Sequence, residues 1–156
     1  MTEFFTNAPI WVWPLLGVLV VIGLRARHAR EVPVALIYGL PALGIMTLRT
    51  TAGLQAGVAI WVVFLIAYAA GIWGGYLMQT RWTVARVGKK VQLSGENVTL
   101  AVMMVLFWAN FAGGVVQAVE PALYVNLLFQ GTFAGLIAFC GGSFAGRALR
   151  VWRTGV

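Results

Sequence analysis

The chain has 156 residues, of which 61% are apolar and only 10% are charged. Soluble domains carry about 25% charged residues, so much of this protein's surface must be solvated by lipid. The net charge of +7 then indicates basic cytoplasmic loops that meet anionic lipid head groups, and we expect no nucleic-acid partner.

Ten of the eleven Lys and Arg residues fall into three clusters that long apolar runs separate. The clusters are Arg25/Arg27/Arg30, Arg81/Arg86/Lys89/Lys90 and Arg147/Arg150/Arg153, with Arg49 outside them. Basic flanks of short loops stay in the cytoplasm, so the clusters predict three cytoplasmic segments. The residues that we expect to contact lipid head groups are Arg25, Arg27, Arg30, Arg81, Lys89, Lys90, Arg147 and Arg150.

The apolar runs divide into five candidate membrane spans. Their approximate ranges are 9–24, 33–48, 56–78, 98–119 and 121–146. The first span is short, and Trp11 and Trp13 at its start are typical of a membrane interface. Pro33 suits a first helical turn, whereas Pro41 falls inside the second span.

The order of spans and basic clusters predicts an orientation. The first basic cluster follows the first span, and an odd number of spans places the termini on opposite sides of the membrane. We therefore predict an N-terminus outside and a C-terminus in the cytoplasm. Because short connections favour antiparallel packing of consecutive helices, the predicted fold is an all-α integral membrane protein. It is a five-helix up-and-down transmembrane bundle, with one domain over residues 1–156.

One cytoplasmic connection is long enough to have structure of its own. In the segment 81–95, β-branched residues flank Gly88-Lys89, and Gly in the first position of a two-residue turn suits a type II′ turn. The segment therefore predicts a short β-hairpin, and an irregular basic loop is the alternative. Asn97 is a suitable N-cap for the fourth helix.

Small residues recur at helical spacing on the third and fifth spans. In lipid, close helix packing depends on such residues because no hydrophobic force draws helices together. The stripes consist of Ala67, Gly71 and Gly75 on the third span and of Gly131, Gly135, Gly142 and Gly146 on the fifth. Two interpretations remain open, namely packing within one bundle and an interface with another chain.

Residues that usually carry chemistry are scarce. The chain has four acidic residues, all Glu, together with one His and one Cys. His28 lies in a basic loop, and these residue types cannot build a His/Cys metal set, a bis-His haem site or a Ser-His-Asp triad. We therefore predict that the protein is not an enzyme, and the sequence implies no cofactor.

Polar residues nevertheless gather near the outer ends of the fourth and fifth spans. Asn110, Gln117 and Glu120 share roughly one helix face, since about 3.6 residues make a turn. Asn126 and Gln130 lie one turn apart on the next span. Arg49 is the basic residue on that side, and we predict that it pairs with Glu120. The set indicates either interhelical hydrogen bonds with an interfacial ion pair or the lining of a small outward-facing cavity.

The fourth and fifth spans also carry longer motifs. They are LSGENVTLAVMMVLF at 93–107, Gly113-Gly114, Pro121 and GGSFAGRALR at 141–150. This set resembles a domain-of-unknown-function family of small bacterial inner-membrane proteins. Gly74-Gly75 and the hairpin after it are distantly similar to membrane proteins associated with cytochrome c maturation. The resemblance implies a multi-pass protein of the bacterial cytoplasmic membrane and transfers no catalytic residue.

Three functions follow from these observations. The first is a non-enzymatic accessory or interaction subunit that forms a homo-oligomer or binds another membrane protein. The second is a small oligomeric transporter or channel with an outward-facing polar cavity. The third is a quinone- or lipid-binding membrane protein.

Overall fold

The computed structural model describes residues 12–39, 41–54, 57–87 and 90–153. Three predictions lie outside these ranges: the start of the first span at residues 9–11, the Gly88-Lys89 turn and the head-group contact of Lys89. The described elements are α1 (Val12–Arg25), β1 (Arg30–Pro33), α2 (Val34–Gly39), α3 (Pro41–Gly53), α4 (Val58–Trp82), β2 (Thr83–Val87), β3 (Lys90–Leu93), α5 (Val98–Val119), α6 (Pro121–Tyr124) and α7 (Leu127–Arg153).

Four helical stretches in the described part of the chain are long and apolar enough to cross a membrane. They are Val34–Gly53, which joins α2 and α3 across residue 40, and α4, α5 and α7. The helix α1 is also apolar but shorter, at 14 residues. These lengths and compositions fit a multi-pass membrane protein.

The helix bounds agree with some of the predicted ranges and differ from others. The helix α5 has the predicted bounds of the fourth span, whereas α4 continues to Trp82. The predicted fifth span contains a break, since α6 ends at Tyr124 and α7 starts at Leu127 and continues through the last basic cluster to Arg153. Pro33 ends the edge strand β1, where proline is tolerated, and the helix α2 begins at the next residue, Val34.

The central helix of the bundle is α7, which packs against α3, α4 and α5, while α1 packs on α5. The prediction that consecutive helices are the main neighbours is therefore wrong, because α4 and α7 form the largest contact. The helix directions do alternate along the chain. In α4 and α7, Val63 faces Gly135 and Ile72 faces Gly146, so these two helices run parallel.

Glycines explain why α4 packs against α7. A Cβ atom placed on Gly75 would lie 2.0 Å from the Ser143 carbonyl oxygen, and one on Gly146 would lie 2.0 Å from that of Ile72. The same holds for Gly71 and Gly142, at 2.3 and 2.2 Å from backbone oxygens of the other helix. The two backbones touch along this stretch, and that contact, rather than loop length, determines the neighbour.

The other glycines of the fifth-span stripe meet side chains instead of backbone. A Cβ atom on Gly131 would lie 3.7 Å from Ile60, and one on Gly135 would lie 3.5 Å from Val63, which is ordinary van der Waals contact. The structure therefore places the glycine stripes of α4 and α7 between two helices of the same chain.

A three-stranded antiparallel sheet in the order β1-β3-β2 closes one end of the bundle. The pairing of β2 with β3 confirms the predicted hairpin, and β1 was not predicted. The apolar side chains of the sheet pack with α2 and the last turns of α7. This core consists of Val32, Val34, Ile37, Val91, Leu93, Ala148 and Val151.

We call the end of the bundle that carries the sheet the sheet end; Arg25, Trp82, Val98 and Arg153 lie there. The opposite end, where α3 and α5 finish and α4 and α7 begin, is the distal end. Its apolar core consists of Leu54, Ile60, Phe133, Ala134 and Ile137.

Candidate functional site

A buried arginine connects the central helix to its neighbours at the sheet end. The Arg147 residue is only 5% exposed. Its Nε donates to Gln79 Oε1 at 3.0 Å, its Nη1 to Thr99 Oγ1 at 2.8 Å and its Nη2 to Glu96 Oε1 at 2.8 Å. We call these four residues, with Trp82, the arginine cluster. It joins α7 to α4, to α5 and to the segment before α5.

Two further contacts complete the arginine cluster. The guanidinium carbon of Arg147 lies 5.1 Å from the ring centroid of Trp82, within cation–π range. The second oxygen of Glu96 accepts the backbone N–H of Thr99 at 2.8 Å, and the Thr99 hydroxyl also donates to this carboxylate. Glu96 therefore both pairs with Arg147 and caps the first turn of α5.

That capping role corrects the prediction for Asn97. Asn97 occupies the N-cap position of α5, but its side chain makes no capping hydrogen bond. Its Oδ1 instead accepts from Arg27 Nε at 2.8 Å, which ties the loop after α1 to the start of α5.

Burial and neighbouring charges shift the pKa of two groups in or beside the arginine cluster. Burial alone raises the pKa of Glu96, but the charge of Arg147 and the hydrogen bonds from Thr99 and Arg147 outweigh it, so the pKa falls below its ordinary value. The half-buried Arg30 lies nearby. Burial and the charge of Arg147 lower the pKa of its guanidinium, and Glu96 partly offsets this.

A cavity of about 40 Å³ lies against Arg147, Gln79, Thr99 and Arg30. This volume suits about one water molecule, whose share of the liquid is about 30 Å³. The guanidinium and carboxylate of the cluster already bind each other, so the arrangement is suited to stabilising the helix ends rather than to holding a substrate.

The predicted lipid contacts divide into two groups. Arg147 is corrected: it is buried and bound to Glu96, because it lies on the face of α7 that also carries Gly146. Arg150 donates from Nη1 to the Tyr76 hydroxyl at 3.1 Å. For the exposed Arg25, Arg27, Arg81 and Lys90 and the half-buried Arg30, head-group contact stays a prediction.

The predicted polar set at the distal end is not brought together. Asn126 Oδ1 accepts the backbone N–H of Leu128 at 2.9 Å and so caps α7. The buried Gln130 donates from Nε2 to the Leu54 carbonyl oxygen at 3.2 Å, just beyond the end of α3. Asn110 donates to the Leu106 carbonyl oxygen of its own helix. Each of these side chains forms hydrogen bonds with backbone atoms, and together they do not line a shared cavity.

The predicted pair between Arg49 and Glu120 is not formed. The ion pairs of the described residues are Lys90–Glu31 and Arg147–Glu96. Arg49, Gln117 and Glu120 are all exposed. The physical reason is the position of α3 and α5, which both pack on α7 with an open cleft between them.

That opening, which we call the lateral cleft, lies between α1, α3 and α5. Its volume is about 340 Å³. Side chains from all three helices line it, among them Leu15, Met46, Thr50, Met103, Phe107 and Asn110. This cleft was not predicted from the sequence, because it depends on α1 packing against α5 rather than against α3.

The arginine cluster was also missed in the sequence, although a signal for it exists. Arg147 falls four residues after Ser143 and next to Gly146, on the packed face of the helix. A basic residue on such a face needs a buried carboxylate, and the sheet end offers only Glu31 and Glu96 among the described residues.

Comparison of the chain with protein-family models, curated proteins and solved structures gives no match.

Proposed function

We propose that this chain is a non-enzymatic accessory or interaction subunit of the bacterial cytoplasmic membrane. The observation that supports this best is the central position of α7, whose glycines contact the backbone of α4. A helix fills the middle of the bundle, so the molecule is built as a compact scaffold with wide apolar outer faces. Such faces suit contact with lipid and with the helices of a partner.

The proposed placement has five spans, with the N-terminus outside and the C-terminus in the cytoplasm. Two features support it: the helix directions alternate, and the basic residues Arg25, Arg27, Arg81 and Arg147 share the sheet end, which we assign to the cytoplasm. A reporter that works only in the cytoplasm is expected to be active when fused to the C-terminus. Activity of a periplasm-specific reporter at that terminus would refute the orientation.

The transporter alternative has less support. Its polar lining was expected from Asn110, Gln117, Glu120, Asn126 and Gln130. The three amides Asn110, Asn126 and Gln130 bind separate backbone atoms, and Gln117 and Glu120 are exposed. The lipid-binding alternative gains an observation of its own, the lateral cleft, and it is compatible with a role as a subunit.

The test of the subunit proposal is purification of the tagged chain from its native membrane in a mild detergent, followed by identification of the chains that elute with it. We expect an unrelated membrane protein at a fixed ratio to this chain. A matched preparation of the Gly142→Ala variant, which changes only the interior α4–α7 contact, shows whether binding of the partner depends on the fold of this chain. Solute flux in liposomes that contain the purified chain alone, with no partner recovered, would overturn the proposal.

A further inference from the structure

The lateral cleft has the chemistry of a hydrocarbon site. Three polar side chains line it, and each already donates to its own helix: Thr47 to the Gly44 carbonyl oxygen, Thr50 to that of Met46 and Asn110 to that of Leu106. The remaining lining consists of Val, Leu, Met and Phe side chains. The cleft therefore presents mainly C–H groups to an occupant, because its Thr and Asn side chains already donate hydrogen bonds within their own helices.

The lateral cleft is long enough to hold part of a hydrocarbon chain. Along α5 it extends from Met103 to Phe111, about 12 Å at about 1.5 Å per residue. An extended acyl chain can follow a cleft of this length. An empty cleft would leave its walls without contacts on one side.

A charge close to the cleft, although outside its lining, indicates the head group that a bound acyl chain carries. Arg49 lies on α3 between two lining residues, Met46 and Thr50, towards the distal end. It is exposed, and no carboxylate of the described residues forms an ion pair with it. A guanidinium at a membrane interface binds phosphate with two parallel N–H donors.

We propose that the lateral cleft holds one acyl chain of an anionic diacyl phospholipid whose phosphate binds Arg49. The lipid comes from the leaflet at the distal end, and its second chain stays in the bilayer. Phospholipid is the solvent of this surface, so even weak affinity fills the site. The inference rests on the proposed placement of α3 and α5 across the membrane, and it does not depend on a protein partner.

The test uses the full chain in nanodiscs of phosphatidylcholine that contain a minor fraction of phosphatidylglycerol with a diazirine in the middle of one acyl chain. After illumination, we expect adducts concentrated on Met46, Met103 and Phe107, and few on the exposed Ile66 and Trp73 of α4. Adducts distributed evenly over both groups would mean that only bulk bilayer lipid is present, and the proposal would be overturned.

Two variants with matched controls test the two parts of the site. Leu15→Trp fills the cleft from α1 and is expected to remove the concentrated adducts; Val18→Trp, on the same helix but outside the lining, is expected to keep them. Arg49→Gln is expected to reduce the preference for phosphatidylglycerol over phosphatidylcholine by about tenfold or more, as for loss of a hydrogen bond to a charged group. Arg153→Gln, which removes the same charge at the sheet end from an exposed residue outside the expected head-group contacts, is expected to leave that preference unchanged.

Native mass spectrometry of the same samples supplies a readout that is independent of cross-linking. One retained phosphatidylglycerol per protomer supports the proposal, and its displacement by an added polyisoprenyl phosphate at equal concentration would overturn the choice of a diacyl lipid. If Leu15→Trp loses helical circular dichroism, the adduct map of the unmodified protein and the Arg49→Gln ratio still decide the question. None of these outcomes bears on whether a protein partner is recovered, so the two proposals are tested separately.

Discussion

At the sheet end, the polar side chains of Arg147, Glu96, Gln79 and Thr99 bind one another across α4, α5 and α7. At the distal end, Asn110 and Asn126 bind backbone atoms within four residues of themselves, and one side chain, Gln130, bonds to a distant backbone atom, the Leu54 carbonyl oxygen. The glycines follow the same division. Those near the sheet end bring backbones into contact, whereas Gly131 and Gly135 meet only side chains.

The difference shows where this small bundle fixes its geometry. Contacts between distant parts of the chain select one arrangement of helices, and local contacts only complete the helices themselves. The sheet end is therefore the part that defines the fold, and the distal end is the part that is free to open a cleft. Four predictions test this division.

The largest effect is expected from the buried ion pair. Arg147→Ala leaves the Glu96 carboxylate buried without a cation and should lower the free energy of unfolding by about 3–5 kcal/mol. The matched change at the distal end, Arg49→Ala, should alter it by no more than about 0.5 kcal/mol. Unfolding titrations in mixed micelles measure both values. Equal effects at the two ends would contradict the division.

A smaller effect is expected from the glycine contact. Gly142→Ala places a methyl group against the Tyr68 carbonyl oxygen and should cost about 1–3 kcal/mol through separation of α4 and α7. Gly135→Ala meets only Val63 at an ordinary distance and should be close to neutral. Light scattering should give the same assembly size for both variants. A smaller assembly for Gly142→Ala would place that stripe at an interface between chains.

Part of the ion-pair stabilisation should titrate. Since the folded pKa of Glu96 is lowered, the unfolded chain binds more protons than the folded one as the pH falls below the ordinary value of about 4.3. Stability is therefore complete above that pH and decreases as the pH falls towards the folded pKa. Melting temperatures in detergent between pH 7 and pH 3 should show this decrease. Glu96→Gln should flatten the curve.

The smallest effect is expected between Arg49 and Glu120. With the lateral cleft between α3 and α5, changes of these two residues to Gln should be additive within about 0.5 kcal/mol in a double-mutant cycle. A measured coupling well above that value would show that the two side chains are in contact and that the cleft is closed in solution.

Sequence patterns were sufficient where the signal is local. The apolar run from Val98 to Val119 gave the correct bounds of α5, and Gly88-Lys89 between β-branched residues gave the hairpin. The strand β1 was missed because its four residues carry a single buried side chain, Val32, and its pairing with β3 joins loops far apart in the chain.

Patterns failed where the partner is distant. Arg147 resembles its neighbours in the last basic cluster, and its partner Glu96 lies 51 residues earlier. The predicted helix neighbours were also wrong, because that prediction relied on loop length. The glycine stripes on α4 and α7 carried the information, and their matching spacing suggests pairing those two helices directly.

The position of α7 has a consequence for how the protein is made. This helix follows all the other described helices in the chain, yet α3, α4 and α5 all pack on it. While the ribosome is still producing it, Gly71 and Gly75 of α4 face lipid and Glu96 has no guanidinium partner. Insertion of the earlier helices and their assembly into a bundle are therefore separate in time, and a nascent chain stalled before residue 127 holds its helices in the membrane without their final neighbours.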